Sequence, residues 1–304
     1  EQFSLKNRVA IVTGGSKGLG KAMAEALAEA GASVVIISRT GAEAAAVANA
    51  LQAESGSRCI GRACDVTDWD QVSGLVQSVI ADFGQIDILI NNAGINIRGA
   101  IDDLEVDDFL RVQATNVTGP WQLCRAVAPH MKERRYGRVV NLGSTLSIIA
   151  LADRTPYATS KGAILQMTRV LALEWAPYGI TVNAMLPGSF ATEMNIPIKE
   201  DPDAYREFVA KIPLGRWGEL DEIKNPIPKD TVARSHDVIE TVSGFLNQSV
   251  NLIIFWSEDD RIGSLDKISV LHSGYPAHDE KVSILEFPDH LHGTWIDQEF
   301  VRQV

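Results

Sequence analysis

The sequence predicts an α/β fold, a parallel sheet with helices packed on both of its faces. Three observations carry this prediction. Apolar runs of strand length alternate with helical segments along most of the chain. The runs are nearly continuous in Val, Ile, Leu and Ala, as strands covered on both faces require. The 304 residues suffice for one large α/β domain with an appendage, or for two modest domains.

The elements follow in order. Residues 8–13 (Arg-Val-Ala-Ile-Val-Thr) form the first strand and run into glycines. From 19 to 30, Leu, Ala, Met and Glu recur at helical spacing until Gly31 ends the helix. Residues 33–38 form a second buried strand, and the Ala-rich stretch 42–54 a second helix. Further strands are expected at 58–64, 86–90, 137–143 and 179–185, with helices at 69–83, 104–114, 118–134, 155–176 and 203–210. In the helix at 118–134, Trp121, Cys124, Val127, Ala128 and Met131 share one face, which reads as core or subunit contact.

The composition changes near residue 224. Lys224 to Asp230 is polar and broken by Pro226 and Pro228, so it reads as a linker or loop. The chain is therefore divided into a core at 1–223 and an atypical C-terminal segment at 224–304. In that segment a helix is expected at 231–247, a strand at 250–256, a short helix at 264–273 and a strand at 281–287.

Composition narrows the functions. The formal net charge of -11 disfavours nucleic acid and anionic membrane as partners, since both repel an acidic chain. No apolar run approaches a membrane span, and the first residues do not read as a secretory leader. Cys59, Cys64 and Cys124 lack metal-ligand spacing and cannot all pair. They read as reduced thiols of a cytoplasmic protein, and no metal site is expected.

The loop Thr13-Gly14-Gly15-Ser16-Lys17-Gly18-Leu19-Gly20 joins the first strand to the first helix. Glycines at 14, 18 and 20 permit a tight turn and close backbone approach, and the helix N-terminus offers free N–H groups to a pyrophosphate. This context predicts a Rossmann-type, doubly wound sheet that binds a dinucleotide. Gly14, Ser16 and Gly18 also satisfy G-x-S-x-G, but a hydrolase elbow is not expected at a first strand. A carboxylate at the end of the second strand would hold the ribose 2′-OH of NAD. Ser38 and Arg39 stand there instead, with Lys17 in the loop, so NADP(H) is favoured over NAD(H).

Tyr157 and Lys161 lie four residues apart on a helix face, and Ser144 follows the strand at 137–143. An ammonium close to the phenol would lower its pKa of about 10 and let it exchange a proton near neutral pH. Ser144 would polarise the same carbonyl oxygen.

Residues 5–223 resemble the short-chain dehydrogenase/reductase family. The matching pieces are the glycine loop, Asp65-Val66, Asn91-Asn92-Ala93-Gly94, Asn116, Ser144, the Tyr157 and Lys161 pair, and Pro187-Gly188 with Thr192. The nearest flavour is that of gluconate dehydrogenases and 3-oxoacyl reductases. The resemblance implies hydride transfer between the cofactor and a carbonyl or secondary alcohol of a sugar, sugar acid, polyol or oxoacyl substrate, in a homodimer or homotetramer. It also implies roles. Gly14, Ser16, Lys17, Gly18, Leu19 and Gly20 would bind phosphate. Asp65 would hold the adenine beside Val66, and Asn91, Asn92, Ala93 and Gly94 would line the cofactor and brace the sheet. Asn116 would anchor a water that relays protons to Lys161. Lys161 would also hold the nicotinamide ribose, Thr192 would touch the carboxamide, and Pro187 and Gly188 would be among the cofactor-binding residues. Arg98, Arg154 and Trp121 are candidates for the pocket wall, with a lid over 188–214.

The resemblance stops after residues 215–222. Residues 250–293 instead resemble the end of an α/β-hydrolase, where Asp259 or Asp260 and His290 or His292 match triad positions. The tail holds no nucleophile motif, so it is expected to complete the sheet: Val250 to Trp256 as the final parallel strand, Lys281 to Phe287 as an eighth. Two other outcomes stay open, a cofactor-binding protein with impaired catalysis and a hydrolase acting through this Asp/His pair.

Overall fold

The structure is a computed structural model that describes residues 4–195, 200–210, 212, 215–224 and 252–255. Successive residues of the first strand, β1 (Val9–Thr13), face opposite sides, and all five are buried. Ala10 and Val12 join one core with Met23 and Ala24 of α1 (Gly18–Glu29) and Ala44 and Leu51 of α2 (Gly41–Ser55). Val9 and Ile11 join another with Leu75 and Val79 of α3 (Trp69–Phe83) and Leu123, Val127 and Met131 of α5 (Gly119–Arg134). The strand therefore lies in the middle of three layers, which is why its sequence carries no polar alternation.

The other strands are β2 (Ser33–Ser38), β3 (Cys59–Ala63), β4 (Ile88–Asn91), β5 (Gly137–Leu142), β6 (Ile180–Pro187) and β7 (Leu252–Phe255). Their order is β3-β2-β1-β4-β5-β6-β7. The first six run parallel. The winding reverses between β1 and β4, and such a switch point opens a crevice at the carboxyl ends of the strands. β7 departs from expectation, because it pairs antiparallel to β6, with Leu252 opposite Pro187 and Phe255 opposite Ala184. Leu252 thus enters the sheet at the edge where β6 leaves it. A parallel strand would have to start at the opposite edge, which requires a crossover connection. The helices expected at 231–247 and 264–273, the strand at 281–287, and Asp259, Asp260, His290 and His292 lie outside the described residues.

The sequence predicts separate helices at 104–114 and 118–134. The structure joins them: α4 (Val106–Gln113) continues through a π-helical turn, Ala114–Thr118, into α5. On α5, Cys124, Val127 and Met131 are buried, whereas Trp121 is 47% exposed and shares the Arg125 guanidinium with Trp69. A long helix, α6 (Thr155–Trp175), covers β5 and β6, and α7 (Pro202–Val209) and α8 (Leu220–Lys224) follow β6. Among the described residues, no helix is long and apolar enough to cross a membrane.

At the amino edge of the sheet, Asp87 is fully buried and takes Arg8 and Arg134, each at 3.2 Å, with the Val9 N–H at 2.8 Å. Beside it, His130 Nε2 accepts the Ile86 N–H at 3.2 Å. Burial, followed by the Arg134 charge, holds the imidazole below its ordinary value. A depressed histidine contributes stability above its unfolded pKa of about 6.5 and loses it as pH falls through the folded value. Denaturant titrations should therefore show a stability loss below pH ~6.5 that His130→Gln reduces; an equal loss in both proteins contradicts the assignment.

Candidate active site

A cleft of about 800 Å³ opens over the switch point. Its floor is the glycine loop. Gly14 and Gly18 adopt φ of +61° and +55°, the left-handed region that glycine occupies without strain. Gly20 is needed for another reason: a Cβ there would strike the Gly14 carbonyl and the Asn92 amide. The N-cap residue of α1, Lys17, makes no side-chain cap, so the first N–H groups of this 12-residue helix stay open to an anion. Thr13 and Asn92 fix the loop against β4. The Thr13 hydroxyl accepts the N–H groups of Asn92 and Ala93 at 3.0 and 3.1 Å. The Asn92 amide donates to the carbonyls of Thr13 and Gly14 at 3.0 and 3.1 Å.

The far side of the cleft is built by β5 and α6. Ser144 follows β5, and its Oγ accepts the Leu146 N–H at 3.2 Å. Lys161 is 5% exposed, and its ammonium donates to the Leu142 carbonyl at 2.6 Å. Burial pulls it from an ordinary 10.5 down to about 8. The ammonium lies 5.4 Å from the centre of the Tyr157 ring. The expected lowering of Tyr157 by Lys161 is not found. Burial pushes the phenol up, opposed by a hydrogen bond with Ser144 and by the charge of Arg98. Lys161 directs one of its three N–H donors to a backbone carbonyl, and the cation felt by the phenol, Arg98, comes from another loop.

Of the residues expected in the site, Gly14, Ser16, Lys17, Gly18, Leu19, Ser38, Arg39, Asp65, Val66, Asn92, Ala93, Gly94, Ser144, Tyr157, Lys161, Pro187, Gly188 and Thr192 line the cleft. Gly20 and Asn116 stand behind its wall. Asn116, 1% exposed in the π turn, binds both backbone groups of Ile95 (2.8 and 2.9 Å) and the Ser160 hydroxyl at 3.0 Å. It pins the loop after β4 to α6. Asn91 lies beneath, donating to Asn141 at 2.8 Å, and Asn141 donates to Thr168 at 3.0 Å. This polar chain runs through the buried centre of the sheet.

The charges near the second strand are arranged differently from expectation. Lys17 pairs with Glu193 at 3.4 Å, across the cleft mouth. Arg39 is exposed on the wall, and Ser38 Oγ accepts the Thr40 N–H. Ser16 donates to Glu43 at 3.4 Å. Arg98 and Arg154 line the cleft as expected, but Trp121 does not. Arg98 donates to Asn195 at 3.0 Å, a contact spanning 97 residues that leaves no local trace in the sequence. Both guanidiniums are held below their ordinary values by burial, and Arg154 also by the charge of Arg98. The cleft thus holds two cations, one of which, Arg98, acts on a phenol that carries its proton at neutral pH.

The family model described as short chain dehydrogenase matches residues 8–203. A gluconate 5-dehydrogenase of Gluconobacter oxydans is 37% identical over 221 residues, covering 73% of this chain and 86% of its own. The crystal structure of a gluconate 5-dehydrogenase from Burkholderia cenocepacia, in complex with NADP and tartrate, superposes with a TM-score of 0.71 at 37% identity, covering 74% of this chain and 88% of that one. An NAD+-bound xylitol dehydrogenase superposes with a TM-score of 0.70 at 32% identity over 74% and 92% of the two chains.

Proposed function

The chain belongs to the short-chain dehydrogenase family, and from that membership we propose an oxidoreductase that moves a hydride between NADP(H) and a carbonyl or secondary alcohol of a sugar, sugar acid, polyol or oxoacyl substrate. The observation that carries the reading is the meeting of Ser144, Tyr157 and Lys161 in one cleft with the glycine loop. The bound nicotinamide supplies or accepts the hydride. Tyr157 gives its proton to the substrate oxygen during reduction and takes it back during oxidation. Ser144 donates a hydrogen bond to the same oxygen. Lys161 holds the nicotinamide ribose, and Asn116 shapes the proton path from behind the wall. Asp65, Val66, Asn92, Ala93, Gly94, Pro187, Gly188 and Thr192 hold the rest of the cofactor.

Arg98 and Arg154 favour the anionic member of the substrate set, a sugar acid, because a guanidinium meets a carboxylate bidentately. The test is a panel of keto-sugar acids, keto-sugars, polyols and 3-oxoacyl thioesters, with NADPH and NADH, followed by nicotinamide absorbance. Absence of turnover across the panel overturns the reading and leaves a cofactor-binding protein.

NADP(H) is favoured over NAD(H) because Ser38 and Arg39 take the place of an acid and Arg39 faces the cleft. Arg39→Asp should lower kcat/KM for NADPH by about 10–100-fold and raise it for NADH, the size of one good charge-assisted contact. A wild type that already prefers NADH would contradict this assignment. Exposed apolar side chains on the long helices, Val106 and Leu110 on α4 and Val170 and Leu173 on α6, support a homodimer through this face. Sedimentation should give twice the chain mass.

A further inference from the structure

Ser147 has no part in the site as the sequence outlines it. It closes the 3-10 turn Thr145–Ser147, three residues after Ser144. Its hydroxyl accepts the backbone N–H of Ser144 at 3.2 Å and donates to the backbone carbonyl of Lys161 at 2.9 Å. In return, the Ser144 carbonyl accepts the Ser147 N–H at 2.9 Å, and Ser144 Oγ accepts the Leu146 N–H. Lys161 is therefore held at both ends against the same segment, since its ammonium rests on the Leu142 carbonyl. The neighbour at 143 must stay small for the strut to fit: a Cβ on Gly143 would lie 3.0 Å from Ser147 Oγ. Ser147 itself is half-buried and does not line the cleft.

We propose that Ser147 is a positioning residue, a hydroxyl strut that sets the separation of Ser144 from the face of α6 that carries Tyr157 and Lys161. Ser144 and Tyr157 come from different elements, β5 and α6, and must address one substrate oxygen. Their separation depends on how the end of β5 is tied to that turn of the helix. A helix cap alone would stabilise the 3-10 turn and no more. This hydroxyl reaches 14 residues onward to the backbone of Lys161 itself. The proposal rests on the oxidoreductase reading given above. Misplacing a reacting group by about 1 Å costs on the order of 10²-fold in rate, so loss of the strut should act on turnover more than on binding.

The experiment compares wild type with Ser147→Ala, Ser147→Cys and Ser147→Thr on the best carbonyl substrate of the panel with NADPH. Cysteine keeps the volume but is a weak donor, whereas threonine keeps the hydroxyl. If wild type reduces nothing on the panel, the oxidoreductase reading fails and takes this proposal with it. With an active wild type, Ala and Cys should lower kcat by about 10–100-fold while KM for NADPH and Tm stay near the wild-type values, and Thr should restore most of the rate. Retention of kcat within about twofold by either Ala or Cys overturns the proposal. So does a parallel fall of kcat, NADPH affinity and Tm that Thr does not reverse, which would mark Ser147 as a fold residue only.

Discussion

Tyr157→Phe should lower turnover by about 10²–10⁴-fold while NADPH binding stays nearly intact. Phenylalanine keeps the ring and removes only the hydroxyl. The effect therefore isolates proton transfer from packing. The size follows from what the site does to the phenol. Burial raises it, and a Ser144 hydrogen bond and the Arg98 charge oppose the rise. The hydroxyl thus keeps its proton at neutral pH and can deliver it to an alkoxide forming on the substrate. No other described side chain of the cleft combines that proton with contact to Ser144. Lys161 is turned onto the Leu142 carbonyl, and Asn116 lies behind the wall. Single-turnover reduction with bound NADPH, compared with the NADPH dissociation constant from fluorescence titration, checks the prediction. A variant that retains more than about a tenth of wild-type turnover assigns the proton to another group.

The sheet and its site were legible where chemistry is local. β1 and β2 announce themselves because strands covered on both faces need unbroken apolar runs, and the glycine loop because φ at Gly14 and Gly18 is left-handed. Tyr157 and Lys161 could be paired from spacing, since four residues is one turn of α6. What spacing cannot supply is the direction of a side chain once it is buried. The spacing predicts that Lys161 serves the phenol, yet its ammonium donates to the Leu142 carbonyl, at the end of β5. The partner of Lys17 is Glu193, 176 positions away in the chain, rather than a charge beside the second strand. The Arg98–Asn195 contact is equally non-local. Ser147 is the intermediate case. Its turn is written locally, as a serine three residues after a serine, but its reach to Lys161 appears only when β5 packs on α6. The antiparallel entry of β7 is likewise a tertiary fact, because an apolar run reads the same in both directions.

Lys161→Met should abolish turnover and, at neutral pH, make the cofactor-free protein more stable than wild type. The lysine is 5% exposed, and burial brings its ammonium from 10.5 down to about 8. A drop of about 2.5 decades means that charging this side chain costs the fold ~3 kcal/mol relative to the unfolded chain. The hydrogen bond to Leu142 offsets about 1 kcal/mol of what methionine would gain. A net gain of ~2 kcal/mol corresponds to a Tm about 4–8 °C higher for a domain of this size. The sign fixes the pH dependence. A lysine with a depressed folded pKa burdens the fold fully below that value, and the burden lifts as pH rises toward the unfolded one. The gap between variant and wild type should therefore be widest below pH ~8 and close between ~8 and ~10.5. Thermal melts of both proteins across that range, without nucleotide, measure it directly. A variant less stable than wild type at pH 7, or a gap that does not change with pH, would mean that Lys161 stabilises the fold it serves. The expected outcome places Lys161 among residues held at a cost to stability, as the proposed catalytic role would require.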